Sequence, residues 1–285
     1  MRTIQKIDEM HAQIRMWRSS GKQIAFIPTM GNLHEGHLSL IKQAHQRADH
    51  VVVSIFVNPT QFGKDEDFDS YPRTLQTDSN KLFETGVDLL FIPKTSDLYP
   101  HGTKASTRIE VPGYSDILCG AHRPNHFIGV TTIVTKLFNI VQPDVALFGE
   151  KDYQQLLIIC RAVEDLCMPI TILGVPTIRE HDGLAMSSRN SYLSANERQN
   201  ASTLYKTLKQ ISKEIVTGKR NYTALEQNAL SILKEANFTP DYVSIRRADN
   251  LALAQPEDSN LIVLAAARLG KTRLIDNIRV TPPTI

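Results

Sequence analysis

The sequence predicts an α/β protein. A parallel sheet covered by helices occupies residues 1–177, and a smaller α+β domain occupies residues 178–285. Three observations predict this. Short apolar runs rich in Val, Ile and Leu alternate with amphipathic stretches, as in right-handed βαβ units. Those runs stop at Pro, Gly or Asn, so their carboxyl ends open into loops. Beyond residue 177 the order changes to two long amphipathic stretches followed by strands. The first part is thus Rossmann-like. A net charge of +2 gives no basic field for nucleic acid, and no apolar run is long enough to span a membrane.

In chain order, residues 1–17 have the pattern of an amphipathic helix and lack the apolar core of a signal peptide. Residues 23–27 form a buried strand ended by Pro28, and a loop follows in which Gly31 is free to take positive φ. From Leu33 apolar residues recur at helical spacing. Residues 51–57 are a second strand, continuously apolar and β-branched. Its end carries Asn58 and Gln61, which can hold a small polar molecule or serve only as turn chemistry. An acidic loop (64–69) leads to Tyr71 and a helix reaching residue 85, and 87–93 is the third strand.

Residues 94–125 break this rhythm. A loop-rich insertion of that length suits a lid or a dimer contact. Arg123 at its end can reach a phosphate or sit exposed in a turn. A helix (130–141), a strand (144–148), a helix (153–167) and a strand (170–175) complete the first part. After a polar link at 177–183, helices are expected at 195–217 and 223–236 and strands at 242–246, 261–266 and 272–277. Gly270 and Lys271 turn the last two into a hairpin. Cys119, Cys160 and Cys167 are odd in number, and the last two fall too far apart on one helix to pair, which fits a reducing cytoplasm.

The stretch at 26–40 organises the rest. His34 and His37 lie three apart on a first helical turn, where unpaired N–H groups and the positive dipole end also lie. Two imidazoles with Gly31 and Gly36 at one helix N-terminus make a polyphosphate site, and Gly36 would let a base or ribose approach closely. A solvated histidine pair is the plain alternative. A zinc pair fits poorly, because His37 comes one residue too early for the metalloprotease spacing. Two further loops fit the same chemistry. Gly149 permits close approach, Lys151 offers a mobile positive charge, and Asp152 caps a helix or faces a ligand. Ser187, Ser188 and Arg189 supply two hydroxyls and a guanidinium suited to phosphate oxygens, with a simple turn as the alternative.

The segments PTMGNLHEGH, IFVNPTQFG, YPRTLQTD, RPNHFIGVTTIVTKLFNIVQPDVALFGEKDYQQ and GLAMSSRNSYLS occur in this order over most of the chain. Together they resemble the pantothenate synthetase (pantoate–β-alanine ligase) family of the HxGH cytidylyltransferase-like superfamily. The C-terminal hundred residues match less distinctively. Asn125 stands where the family more often has Gly, and Asn tolerates the left-handed conformation such a turn needs.

The resemblance implies ATP-dependent condensation of pantoate with β-alanine through pantoyl adenylate, in a homodimer. It implies that Met30, Gly31, Asn32, Leu33, His34, Glu35, Gly36 and His37 hold ATP, with His37 the acid. Gly149, Glu150, Lys151, Asp152, Ile178 (through its backbone), Met186, Ser187, Ser188 and Arg189 would complete the nucleotide site. Lys151, Ser187, Ser188 and Arg189 would stabilise developing charge. Gln61 and Gln155 would hold pantoate, with Gln61 also near β-alanine, and Asn58, Tyr71 and Arg123 nearby. Mg²⁺ would ride on the phosphates with no dedicated protein cage.

Three rivals are weaker. A transferase acting on a phosphorylated acceptor would want Arg or Lys at 58–63, which has none. A non-catalytic nucleotide sensor has no need for a neutral acceptor pocket beside three phosphate loops. A dinucleotide dehydrogenase lacks G-x-G-x-x-G after the first strand.

Overall fold

The computed structural model describes residues 1–64 and 66–282, so Asp65 of the acidic loop lies outside the described residues. The chain clusters into two compact units. One is Met1–Glu150 with Ile158–Pro176, and the other is Lys151–Leu157 with Thr177–Ile285.

The first unit is built on β1 (Arg2–Ile4), β2 (Ile24–Thr29), β3 (His50–Ile55), β4 (Leu89–Phe91), β5 (Val145–Gly149) and β6 (Thr171–Val175). They form one parallel sheet in the order β1-β4-β3-β2-β5-β6. The order reverses between β2 and β5, which is where an open α/β sheet leaves a crevice at its carboxyl edge. Helices α1 (Ile7–Ser19), α2 (Glu35–Ala44), α3 (Leu75–Glu84), α4 (Thr95–Leu98), α5 (Cys119–His122), α6 (His126–Val141) and α7 (Tyr153–Asp165) alternate with the strands. Alternation of side chains along the strands divides the core between the two faces. Ala25, Ile27, Val51, Val53 and Leu147 pack with Leu40, Ile41 and Ala44 of α2 and Leu82 of α3. On the other face the Phe138 ring of α6 meets Phe26 and Phe148 edge-on, each at 6.3 Å.

One expectation for this unit is corrected. Residues 2–4 are not helical but pair in parallel with β4, and the helix starts only at Ile7. Three residues are too few to show a periodicity, and burial of Ile4 against the sheet decides the matter. The insertion at 94–125 is loop-rich, as expected. It contains the single helical turns α4 and α5, and Tyr99, Val111 and Leu118 are buried.

The second unit carries α8 (Ala195–Ala201), α9 (Thr203–Val216), α10 (Tyr222–Glu235) and an antiparallel sheet of β7 (Phe238–Arg247), β8 (Leu261–Leu269) and β9 (Thr272–Val280). Leu204, Leu208, Ile211 and Ile215 of α9, with Leu225, Ala229 and Leu233 of α10, cover Val243, Ile245, Val263 and Ala265 of the sheet. The single helix expected at 195–217 is interrupted at Ser202. Ser202 keeps helical dihedrals (φ −65°, ψ −14°), so the ladder breaks without a change of chain direction that composition could announce.

Candidate active site

The loop after β2 is a rigid turn. Gly31 (φ +85°) and Asn32 (φ +51°) take consecutive left-handed conformations. Asp78 of α3, almost fully buried, accepts hydrogen bonds from the N–H groups of Asn32 and Leu33 at 2.8 Å each and from Thr74 Oγ1 at 3.0 Å. Lys81, one turn further along α3, donates from Nζ to the Leu33 carbonyl at 2.6 Å. One helix therefore grips the turn from both its donor and its acceptor side.

Helix α2 begins with His34 as its N-cap, later than the periodicity from Leu33 suggests. The His34 ring folds back so that Nδ1 accepts the Gly36 N–H at 3.1 Å, and His37 Nδ1 accepts the His34 N–H at 3.3 Å. The ring centroids are 4.2 Å apart. This corrects the expectation of unpaired backbone donors. The N–H groups of Asn32, Leu33 and Gly36 are occupied, and a Cβ on Gly36 would sit 2.8 Å from the His34 ring, so that glycine makes room for the ring. Because both Nδ1 atoms accept, the proton of each neutral imidazole is on Nε2.

The loop after β3 is organised around Asn58, which is 1% exposed. Its Oδ1 accepts from Tyr99 Oη at 2.8 Å and from Thr60 Oγ1 at 3.1 Å. Its Nδ2 donates to the Gly129 carbonyl and to Gln61 Oε1, both at 3.1 Å. Gln61, at the end of the 3₁₀ turn Pro59–Gln61, is thereby oriented with Nε2 facing Met30 Sδ at 3.3 Å. Asn58 uses its bonds for positioning. Gly129 of α6 lets the loop close in, since a Cβ there would lie 2.4 Å from the Thr60 carbonyl oxygen.

Arg123 does not present a free guanidinium. It forks onto Glu66 with both bonds at 2.5 Å, and His126 Nδ1 lies 2.8 Å from the Gln61 carbonyl oxygen. Burial would raise the Glu66 carboxyl, but the Arg123 hydrogen bonds and charge outweigh it and hold the carboxyl at about 2. Tyr71 is buried with its ring edge-on to Phe62, 5.8 Å between centroids. Asn125 takes the left-handed conformation (φ +66°) just before α6, so the turn survives without glycine. After β5, a Cβ on Gly149 would meet nothing within 4 Å, which leaves that backbone open to close approach.

In the second unit, Lys151 and Asp152 end the 3₁₀ turn Glu150–Asp152, and Gln155 stands half-buried on the first turn of α7. That turn is anchored by Tyr153, whose hydroxyl donates to the Ala248 carbonyl at 2.7 Å. Residues 178–186 form a small hairpin, closed by Met186 N–H to the Ile178 carbonyl (3.0 Å) and Glu180 N–H to the Leu184 carbonyl (2.8 Å). Arg198 of α8 grips it through Glu180 (2.5 Å) and Asp182 (2.6 Å), and Asn190 Nδ2 donates to Glu180 and to the Ala185 carbonyl. The hairpin delivers Ser187, Ser188 and Arg189 into the 3₁₀ turn Ser188–Tyr192, where Ser187 Oγ accepts the Arg189 N–H at 3.2 Å. Among the described residues, no three His, Cys, Asp or Glu side chains gather as a metal site, and no helix is long and apolar enough to cross a membrane.

Residues 2–279 match the family model described as pantoate-beta-alanine ligase. The chain belongs to the pantoate–β-alanine ligase family. A pantothenate synthetase of Shewanella oneidensis is 55% identical over 98% of this chain and 99% of its own. One from Ectopseudomonas mendocina is 56% identical over 98% of both chains. Among solved structures, the pantothenate synthetase of Thermus thermophilus superposes with a TM-score of 0.92 at 42% identity, covering 99% of this chain and 100% of its own. The pantoate-beta-alanine ligase of Francisella tularensis, complexed with Beta-gamma ATP and Beta-alanine, superposes with a TM-score of 0.81 at 36% identity, covering 98% and 97%. The fold expected from the sequence is therefore that of the pantoate–β-alanine ligases. Sequence reasoning missed Asp78, Lys81 and Gly129. Asp78 reads as a surface residue of a polar helix, and only the folded chain brings it to Leu33, 45 residues away.

Proposed function

We infer that this chain joins pantoate to β-alanine using ATP, through pantoyl adenylate, in pantothenate biosynthesis. The pantoate carboxylate attacks the α-phosphorus and pyrophosphate leaves. The β-alanine amine then attacks the acyl carbon and AMP leaves. The family match over residues 2–279 carries this reading. The Francisella tularensis relative with Beta-gamma ATP and Beta-alanine supports the choice of nucleotide and amine.

The residue roles are those the family resemblance implies, and the chemistry gives each a physical reason. Adenylate formation needs charge stabilisation around a crowded polyphosphate and no protein nucleophile. His34 and His37 donate from Nε2 to phosphate oxygens, and His37 acts as the acid. Residues 30–37 and 149–152, the backbone of Ile178 and residues 186–189 bind the nucleotide. Lys151, Ser187, Ser188 and Arg189 stabilise the charge that develops on the leaving pyrophosphate. Gln61 and Gln155 hold pantoate through neutral amides, which fix hydroxyl and carboxylate oxygens without blunting the attacking charge. Gln61 also serves β-alanine. Mg²⁺ enters as part of the nucleotide substrate. The histidines, hydroxyls, lysine and arginine of these segments suit phosphate oxygens, and Mg²⁺, which usually takes only one or two carboxylates from a protein, keeps most of its ligands on phosphates and water. Cys119, Cys160 and Cys167 are thiols rather than disulfides, which fits a cytoplasmic enzyme. The family resemblance points to a homodimer, which a mass measurement by light scattering tests.

Pyrophosphate exchange into ATP tests the reading. Exchange should require Mg²⁺ and pantoate, proceed without any amine, and give way to AMP and pantothenate when β-alanine is added. ATP binding without exchange for pantoate or related hydroxy acids would overturn it in favour of a non-catalytic nucleotide binder.

A further inference from the structure

We propose that two neighbouring residues of β9, Asp276 and Asn277, are positioning residues for the triphosphate chemistry: Asn277 sets the backbone of Lys151, and Asp276 sets the hairpin that delivers Ser187, Ser188 and Arg189. The proposal rests on the roles given above to those four residues.

Both side chains are buried, at 4% and 8% exposure, in the C-terminal strand of a sheet whose core is mainly apolar. Consecutive strand residues point to opposite faces, so each reaches a different segment. Asn277 Nδ2 donates to the Lys151 carbonyl at 2.9 Å, across 126 residues of chain. Asp276 takes a bidentate fork from Arg179, at 2.7 and 2.9 Å. The same guanidinium donates to the Gly183 carbonyl at 3.1 Å and to the Asn277 carbonyl at 3.3 Å, and it lies 3.5 Å from the Tyr205 ring centre. Arg179 is itself a rung of the 178–186 hairpin, bridged to Ala185, one residue before Met186. Fixing Arg179 therefore fixes the hairpin strand that leads into Ser187.

Packing alone does not account for this arrangement. A buried ion pair adds little net stability over apolar residues of the same volume. What the polar pair adds is direction: a fork fixes the angle of a guanidinium, and an amide donor fixes a carbonyl. Burial pushes the Asp276 carboxyl up, and the facing Arg179 opposes this. The strand thus places an amide under one phosphate-facing segment and a carboxylate under the other.

The test uses the full-length enzyme and single-turnover formation of pantoyl adenylate. This rate constant, unlike a steady-state rate, does not change with the fraction of enzyme that is folded. Asn277→Ala should lower it on the order of 10²-fold, the effect of misplacing a reacting group by about 1 Å. It should leave pantoate KM unchanged. Asp276→Asn should do the same less severely, with a higher KM for ATP. Asp276→Ala, which strands Arg179, serves only as a folding control by thermal melting. In the double variant Lys151→Ala/Asn277→Ala the losses should not add, because one residue acts through the other. An Asn277→Ala enzyme that folds and keeps the parent rate constant and ATP KM overturns the positioning role. Fully additive losses overturn it too, since Asn277 would then act independently of Lys151. A Lys151→Ala enzyme with the parent rate overturns the assignment of Lys151 itself, and that outcome is distinguishable from the other two.

Discussion

The pair of Arg123 and Glu66 offers a prediction whose size and sign follow from the structure. Both side chains are largely shielded, at 15% and 19% exposure. The Glu66 carboxyl stands at about 2 against an ordinary 4.5. At about 1.4 kcal/mol per pH unit this gap corresponds to ~3 kcal/mol, and residual solvent screening brings it to ~2–3 kcal/mol. The folded value lies below the unfolded one, so the stabilisation is complete above about pH 5 and is lost as pH falls towards 2. Glu66→Gln keeps the shape and removes the charge. Urea unfolding of parent and variant at a series of pH values should show a gap of ~2–3 kcal/mol at about pH 7 that narrows below about pH 4.5. A gap that stays constant down to about pH 3 would refute the electrostatic account, and no gap at neutral pH would refute the pair's contribution altogether. Because Arg123 and His126 both lie against the Gln61 carbonyl, the variant should also raise pantoate KM while ATP KM stays put.

His37→Ala should slow single-turnover adenylate formation by roughly 10²–10⁴-fold, and an unchanged rate would remove His37 from the mechanism. Gln155→Ala should weaken pantoate far more than ATP in steady-state kinetics; equal losses for both would count against its assignment. In Gly129→Ala the new Cβ meets the Thr60 carbonyl and the Gln61 Cα at 2.4 and 2.8 Å. Backbone must move, so stability should drop by ~1–3 kcal/mol and pantoate KM should rise, whereas parental values for both would show that the loop has slack. Asp78→Asn places an amide N–H against a backbone N–H on one side of the turn. Loss of charge-assisted bonds worth ~2–4 kcal/mol should lower Tm by roughly 5–12 °C; a melt indistinguishable from the parent's would show that the turn holds itself.

Much of the first unit is legible because its strands are continuous β-branched runs with punctuated ends, a signal that buried parallel strands produce directly. The loops after those strands are legible for the same reason, and the left-handed Asn125 turn can be read from side-chain chemistry. What escapes depends on long-range contact. β1 is a strand only because β4 lies beside it. In the sequence, Asn58 stands undecided between ligand contact and turn chemistry, and its hydrogen bonds come from residues as distant as Gly129. His34 carries no local sign that its ring folds onto the backbone amide of Gly36. Arg123 reads as an available charge because Glu66, its partner, lies 57 positions upstream. Asp276 and Asn277 leave little trace, because β9 (TRLIDNIRV) carries polar residues throughout and only the fold shows that these two are buried.

The grip of α3 on the turn at Gly31 and Asn32 bears on the thermodynamics of ligand capture. A glycine and an asparagine, the latter in a backbone conformation that non-glycine residues seldom adopt, are held there by a buried carboxylate and a lysine. The conformational entropy of that turn is lost once, when the chain folds, and not again at each encounter with the nucleotide proposed to bind there. A ligand arriving at the turn meets a shape already made. Its heat-capacity change then reflects the surface it covers rather than any ordering of this segment, and the selectivity of the turn is inherited from the stability of the unit that contains it.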